Sequence, residues 1–246
     1  MKSTESKLKF WAPKLAATFA IILVMVSFQN CSKVNFSEDV SSAVKTAGIP
    51  DNVICDPFSS ASSCDPNSGD GLRGNVYYLP NEKNSVQNYI DYGTKLNLYV
   101  QMSNLDIPTR DWSSGFPSSA GGLLKDQNGA ALIEYFGMDL KGAIVLTSRQ
   151  NEDDYDFAIA SDDGAILDID GKTLVNNDGQ HAREWKCSSD SVHLKVGESH
   201  PVRLRYYQGP RVQIALQVYM RPVSKRGMPC DDTGDWTILP KEILRH

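Results

Sequence analysis

Two adjacent aspartates, Asp162 and Asp163, are the residues of this 246-residue chain whose types and spacing most clearly suggest chemistry. Neighbouring carboxylates repel each other, and a tight turn needs only one Asp or Asn before its glycine. A carboxylate pair can instead bind a hard cation such as calcium, which takes carboxylate, carbonyl and hydroxyl oxygens together. The alternative is a plain turn, in which Asp163 precedes Gly164 and Asp162 caps a neighbouring backbone group. The residues alone leave both interpretations open.

The elements that must position the pair are predicted to be β-strands. The segment YDFAIASDDGAILDIDGKTLV, residues 155–175, alternates apolar and polar residues on both sides of the pair, and Asp170-Gly171 favours a type I′ hairpin turn. The same alternation recurs in KLNLYVQM, VHLKV, VRLRY and VQIALQVYM, at residues 95–102, 192–196, 202–206 and 212–220. Many short strands without a comparable helical period predict an all-β, antiparallel sandwich or barrel.

The start of the chain predicts export. Four lysines precede an apolar run, Leu15 to Phe28, which is too short for an ordinary membrane span and has the length of a signal-peptide core. The run ends in VSFQNCS, which resembles the lipobox of bacterial lipoproteins and would make Cys31 the lipid-modified first residue. An uncleaved anchor, or a plain signal peptide with a stray thiol, is the alternative. Ser32 after the cysteine favours the outer membrane of a bacterial envelope, without indicating which face.

Composition divides the chain into three parts. Residues 1–30 are the predicted lipoprotein signal, residues 31–70 form a tether rich in Ser, Asp, Pro and Gly, and residues 71–246 form the folded β domain. The formal net charge is −5, and removal of the lysine-rich signal makes the remainder more acidic. Without a basic cluster the chain is a poor candidate for binding nucleic acid or anionic lipid. We therefore expect membrane contact through the lipid at Cys31 alone.

Four cysteines remain after Cys31, and four cysteines can pair in three ways. Export places them in an oxidising compartment, where disulfides form. We expect Cys55 to pair with Cys64 and Cys187 to pair with Cys230.

The order of the motifs is similar to that of the PA14 domain. The similarity covers GLRGNVYYLP, Trp112 before SGFP, YFGMDLKGAIVL, the segment around the aspartate pair, the YYQG hairpin and WTILP, roughly residues 71–244. The resemblance implies a β module, often carbohydrate-binding and not itself catalytic. In its adhesin branch a cis peptide joins the two aspartates, both bind calcium, and an Asn completes the site. The matching positions here are Asp162, Asp163 and Gln208, and the longer Gln departs from that pattern.

The resemblance leaves three function classes open. The first is a lipid-anchored glycan-binding module, with Trp185 and Tyr207 as candidate rings for stacking on a sugar beside Asp162, Asp163 and Gln208. The second is a structural or protein-interaction module of the cell envelope. The third is a glycan-processing enzyme, which we do not favour, because the nucleophile, zinc-site and P-loop motifs are absent from the sequence. The sequence names neither a specific glycan nor an oligomeric state.

Overall fold

Two β-sheets form the fold in the computed structural model, which describes residues 53–59, 64–118, 120–211 and 213–246. Among these residues sheet A has eight strands, in the order β1 (Val53–Cys55), β3 (Thr94–Met102), β2 (Leu72–Tyr78), β5 (Phe136–Val145), β11 (Ser199–Gln208), β7 (Ala165–Ile169) and β8 (Lys172–Asn177), with β14 (Leu244–Arg245) paired to β5. Sheet B has six described strands: β10 (Val192–Leu194), β6 (Asp153–Asp162), β12 (Gln213–Pro222) and β13 (Thr237–Ile238) in order, with β4 (Asp106–Asp111) on β12 and β9 (Glu184–Cys187) on β6.

The strand pairing is mainly antiparallel, and apolar side chains from both sheets form one core. The alternation in the sequence has the predicted effect: Leu98, Val100 and Met102 on β3 are fully buried, as are Phe157 and Ile159 on β6. Aromatic rings fill part of the core in edge-to-face contacts, which place the positive edge of one ring on the negative face of another. The predicted all-β fold is confirmed, with two sheets as in the sandwich alternative.

The β7–β8 hairpin turns at the predicted position. Asp170 and Gly171 both have positive φ angles, 52° and 76°, as a type I′ turn requires. Glycine accepts such angles without a Cβ clash, and Asp tolerates them better than most residues. The hairpin therefore follows from the local sequence.

A seven-residue helix, α1 (Val86–Tyr92), was not predicted from the sequence. Ser85 caps it by accepting a hydrogen bond from the Gln87 backbone N–H. A carboxylate from a distant part of the chain, Asp178, accepts a second bond from the Val86 N–H at 2.9 Å. Because isolated helices of this length are marginal, the helix depends on these tertiary contacts.

The domain begins earlier than the predicted boundary at Gly71. Strand β1 pairs in parallel with β3, and the Phe58 side chain is 1% exposed within the core. The buried Asp56 carboxylate accepts a hydrogen bond from the Ser103 N–H at 2.7 Å. The end of the predicted tether is thus part of the fold, and three residues of strand are too few to show an alternating pattern. The predicted signal, Cys31 and the tether up to residue 52 lie outside the described residues.

Both predicted disulfides are confirmed. Cys55 is bonded to Cys64, and Cys187 is bonded to Cys230. The first closes a short loop beside β1, and the second links β9 to the segment that precedes β13. Among the described residues, no helix has the length and apolar character needed to cross a bilayer.

Candidate functional site

The aspartate pair lies where the chain passes from sheet B to sheet A. Strand β6 ends at Asp162 in sheet B, and β7 begins at Ala165 in sheet A. The two strands therefore do not form a hairpin, and the pair sits at a crossing between the sheets. The peptide bond between Asp162 and Asp163 is cis, as the PA14 resemblance implies.

The Asp163 carboxylate is 3% exposed and accepts hydrogen bonds from two distant loops. Its Oδ1 accepts the His181 backbone N–H at 3.1 Å, and its Oδ2 accepts the Gly209 N–H at 2.8 Å. A plain turn would use the carboxylate to bind backbone groups of its own segment. Asp163 instead holds the β8–β9 and β11–β12 loops together, so the turn interpretation does not describe its role.

Asp162 has no such compensation. Its side chain is half-buried and accepts no hydrogen bond from the described residues. Burial, followed by repulsion from Asp163, raises the pKa of Asp162 to about 6, against an opposing influence of His181. Burial also raises the pKa of Asp163, although its two backbone hydrogen bonds act in the opposite direction. Burial thus disfavours the negative charge of both carboxylates, which a proton or a nearby cation would offset.

A cleft of about 430 Å³ opens beside the pair and is lined by Asp162, Asp163, Gln180, His181, Ala182, Pro210, Arg211 and Gln213. Arg211 donates to Glu134 through its backbone N–H and its guanidinium, and its side chain is mostly exposed. Sequence analysis missed every lining residue except the two aspartates. No periodicity marks them, because two loops that are distant in sequence meet here only in the folded chain.

Two glycines let the loops approach the pair. A Cβ on Gly164 would lie 2.5 Å from Tyr207 Cε1 and 2.7 Å from Asp178 Oδ1, which is closer than van der Waals contact allows. A Cβ on Gly209 would lie 3.2 Å from Asp163 Oδ2. The glycines that follow Asp163 and Gln208 therefore serve close packing around the site.

Gln208 is the residue that the PA14 resemblance matches to the Asn completing the site. Its side chain is 1% exposed and lies behind the pair, outside the cleft lining. Gln208 Nε2 is 3.4 Å from Asp163 Oδ2 and 3.4 Å from the Pro210 carbonyl oxygen, while Oε1 accepts from the Tyr206 hydroxyl at 2.9 Å. Gln208 can therefore reach the pair as a supporting group, but a sugar cannot reach Gln208.

The predicted sugar-stacking role of Tyr207 is wrong. Tyr207 is fully buried, its ring stacks on Tyr89 at 5.3 Å, and its hydroxyl donates to the Lys83 carbonyl. Trp185 is half-buried and does not line the cleft. Its ring stacks on Tyr219 at 4.3 Å on the outer face of sheet B. Neither ring is therefore presented to the cleft.

The groups around the pair fit a hard divalent cation. Calcium takes six to eight oxygens at about 2.3–2.6 Å, so neighbouring ligand oxygens lie about 3–4 Å apart. The Gln208 side-chain amide, through Nε2, lies 3.4 Å from Asp163 Oδ2 and 3.4 Å from the Pro210 carbonyl oxygen, and the Asp162 carboxylate accepts no hydrogen bond from described residues. Within the described chain, no three Asp, Glu, His or Cys side chains form a metal site. A cation at the pair would thus need amide, carbonyl, water or ligand oxygens as well.

Comparison with known proteins finds a family match in the second half of the chain. The family model of the PA14 domain matches residues 146–233, which include both aspartates and Gln208, and the predicted resemblance is confirmed over that segment. No curated protein matches the chain.

Similar solved structures include a PA14 sugar-binding domain from an RTX adhesin, with 19% identity, coverage of 73% of this chain and 99% of that one, and a TM-score of 0.49. The PA14 domain of the MpAFP antifreeze protein has 15% identity, coverage of 75% and 95%, and a TM-score of 0.48. An anti-sigma factor domain-containing protein has 19% identity, coverage of 72% and 47%, and a TM-score of 0.47, so this chain spans about half of its length.

Proposed function

We propose that the PA14 domain over residues 146–233 makes this chain a non-catalytic carbohydrate-binding module, with its site in the cleft beside Asp162 and Asp163. The observation that carries the proposal is the Asp162 carboxylate, which lines an open cleft and accepts no hydrogen bond from the described residues. Ligand sites commonly combine a concave surface with a few converging polar groups, and groups with shifted pKa values concentrate at such sites. The amides of Gln180 and Gln213 and the Arg211 guanidinium add donors suited to sugar hydroxyls.

The proposal includes a calcium ion held by Asp162 and Asp163. When bound there, the ion would neutralise the pair and offer free coordination positions to sugar hydroxyl oxygens. The chain's own contribution is the arrangement of the ligands: the Gly209 and His181 N–H groups fix the orientation of the Asp163 carboxylate, and the open side of Asp162 faces the cleft.

Binding rather than hydrolysis is the better interpretation of two carboxylates placed in this way. Glycoside hydrolysis requires two acids on opposite sides of the scissile bond, about 5–10 Å apart. Asp162 and Asp163 are consecutive residues, and the nearby Glu134 is engaged by Arg211. The proposed function therefore assigns no catalytic residue.

A lipid anchor at Cys31 would attach this module to the bacterial envelope, and outer-membrane attachment remains part of the proposal. With more than one acyl chain, attachment should be stable, whereas a single chain gives marginal binding. Cys31→Ser should release the protein into the soluble fraction. If the processed variant still sediments with membranes, the anchor proposal is wrong.

One observation favours the protein-interaction alternative. The two aromatic rings expected to stack on a sugar are turned away from the cleft, Tyr207 into the core and Trp185 onto Tyr219. A glycan array measured with calcium and with EDTA separates the two functions. Calcium-dependent binding of any glycan supports the proposal, and an array without binding in both conditions favours the interaction module.

Thermal unfolding tests the cation independently of the sugar. Calcium that binds only the folded state should stabilise it by about 2.7 kcal/mol at a hundredfold excess over its dissociation constant. Asp163→Asn should abolish this increment, because it removes an anionic ligand, while the matched control Asp231→Asn in an exposed loop should retain it. An increment that survives Asp163→Asn would place the ion elsewhere.

A further inference from the structure

The Gln208 side chain stands between the aspartate pair and the core and has two possible sets of partners. One end of its amide faces the Tyr206 hydroxyl, with 2.9 Å between Tyr206 Oη and Gln208 Oε1. The other end faces two acceptors, Asp163 Oδ2 and the Pro210 carbonyl oxygen, each 3.4 Å from Nε2. With 1% of the residue exposed, water offers no substitute for these partners. Each end of the amide therefore depends on the groups that it faces.

The Tyr206 hydroxyl cannot satisfy the present arrangement fully. Tyr206 Oη also lies 2.7 Å from the Asp162 carbonyl oxygen, so it faces two acceptors, that carbonyl and Gln208 Oε1. A hydroxyl carries one proton and donates one full hydrogen bond. Tyr206 is itself fully buried, so one of these two acceptors is left with a shared or missing donor.

Inverting the amide would resolve this conflict and create another. With the nitrogen toward Tyr206, the hydroxyl could donate to the Asp162 carbonyl and accept from Gln208. The amide oxygen would then face Asp163 Oδ2 and the Pro210 carbonyl, giving three oxygens with no proton between them. That arrangement is repulsive without a cation and suits a hard cation well. The surroundings thus support one orientation without a cation and the opposite orientation with one.

We propose that the Gln208 amide is a two-position switch, which donates to Asp163 in the cation-free protein and inverts to present its oxygen, beside the Pro210 carbonyl, when a divalent cation occupies the pair. The Tyr206 hydroxyl changes from donor to acceptor toward Gln208 in the same step. This inference rests on the proposed cation site and adds Pro210 and Tyr206 to it. The extra methylene of Gln, relative to Asn, gives the amide the reach that it needs to contact both neighbours from the end of β11.

The switch connects cation binding to the sugar-binding surface. Pro210 and Arg211 follow β11, Gln213 begins β12, and all three line the cleft. In the cation-free state the Pro210 carbonyl is held by the Gln208 amide, and in the inverted state it faces the cation. The two states therefore differ in what fixes the loop that carries Arg211. Because coupling between two binding events is reciprocal, a glycan held by this loop should tighten cation binding by the same factor by which the cation tightens glycan binding.

Nuclear magnetic resonance of the full chain labelled with ¹⁵N at glutamine side chains tests the inversion directly. Gln208→Asn removes one amide signal pair and so identifies it. Adding calcium chloride to protein in EDTA should strengthen the cross-relaxation between the Gln208 NH₂ protons and the Tyr206 ring protons several-fold, because the nitrogen turns toward the hydroxyl. If calcium binds and this signal does not change, the switch is overturned and the cation site stands. If calcium does not bind, both ideas fail.

A pair of matched variants gives a second measurement. Tyr206→Phe removes the hydroxyl that accepts from the inverted Gln208 amide and donates to the Asp162 carbonyl. Calcium affinity, measured by calorimetry, should therefore fall about fivefold, which corresponds to the loss of one hydrogen bond. A fixed amide would lose the same contact in both states, and the affinity would be unchanged. Tyr207→Phe is the control, because that hydroxyl donates to Lys83 on the other side of the strand, and it should leave the affinity unaltered.

Discussion

Two of the acidic segments in the described chain differ in the partners that they give their carboxylates. In the exposed loop Asp231–Asp235, the Asp231 carboxylate accepts hydrogen bonds from the Thr233 hydroxyl at 2.6 Å and from the Thr233 backbone N–H at 2.8 Å. These two bonds lower the pKa of Asp231. Asp232 pairs with Arg183 at 3.1 Å, and Asp235 pairs with Lys225 at 2.8 Å. Each acid in this loop therefore has a local partner that compensates its charge.

At the pair Asp162–Asp163 the carboxylates are more buried and less compensated. The Asp163 carboxylate accepts hydrogen bonds from two backbone N–H groups, whereas the Asp162 carboxylate accepts none from the described residues. Burial raises the pKa of both carboxyl groups. The loop has more acids than the pair, so a count of acids alone would favour the loop. What distinguishes a candidate cation site is charge that the fold leaves without a partner.

The largest expected effect comes from removing the covalent bond beside the acidic loop. Cys187 and Cys230 are 43 residues apart, and their disulfide closes the loop between them. Replacing both by Ala removes this constraint on the unfolded chain and should lower the free energy of unfolding by about 4 kcal/mol. Replacing Cys55 and Cys64, which are nine residues apart, should cost about 3 kcal/mol. Urea unfolding of both double variants measures the difference. The calcium increment should survive both, and its loss in the Cys187 and Cys230 variant would place the cation near the acidic loop.

The next largest expected effect is the loss of stability when one aspartate is replaced by Ala, and this loss should differ between the two segments. Asp163→Ala leaves the Gly209 and His181 N–H groups without their acceptor and should cost about 2 kcal/mol in EDTA, after partial relief of the buried charge. Asp231→Ala removes an exposed turn contact and should cost about 0.5 kcal/mol. Chemical denaturation of both variants provides the comparison. Equal losses would mean that Asp163 does not hold the two loops together.

Much of the scaffold could be predicted from the sequence because its signals are local. Alternating apolar residues predict β3, β6, β11 and β12, and Asp170-Gly171 predicts the hairpin between β7 and β8. The even number of cysteines after Cys31 predicts two disulfides, but the count leaves three possible pairings. The strands and the hairpin are predictable because they depend on residues that are close in sequence.

The remainder depends on tertiary contacts that no short segment reveals. Tyr206 and Tyr207 are both buried, although they are neighbours on one strand, because β11 is covered by the main core on one face and by α1 on the other. Alternation alone would leave Tyr207 exposed, and the incorrect sugar-stacking role came from its position beside Gln208 in the PA14 resemblance. The partners of Asp163 likewise come from loops 18 and 46 residues away.

A pH titration in EDTA can test the charge of Asp162. A carboxyl whose pKa rises from 3.8 to about 6 on folding binds its proton more tightly in the folded state. Its stabilising contribution is therefore present below about pH 4 and is lost as the pH rises to about 6. Asp162→Asn should flatten this slope and stabilise the protein at pH 7 by about 1 kcal/mol, since solvent reduces the effect at a half-buried group. Parallel stability curves for wild type and variant would show that Asp162 is compensated after all.

The smallest expected effect belongs to Asp232 in the acidic loop. Its side chain is 69% exposed, and its partner Arg183 also donates to the Gln217 amide oxygen at 3.0 Å, so the guanidinium keeps a partner when the carboxylate is removed. Exposed ion pairs contribute little to the free energy of unfolding, and salt screens the attraction between their charges. Asp232→Asn should therefore reduce stability by no more than about 0.5 kcal/mol at low ionic strength and by nothing measurable in 1 M salt. A larger loss that resists salt would show that this loop, like the pair at the sheet crossing, carries charge that its surroundings do not compensate.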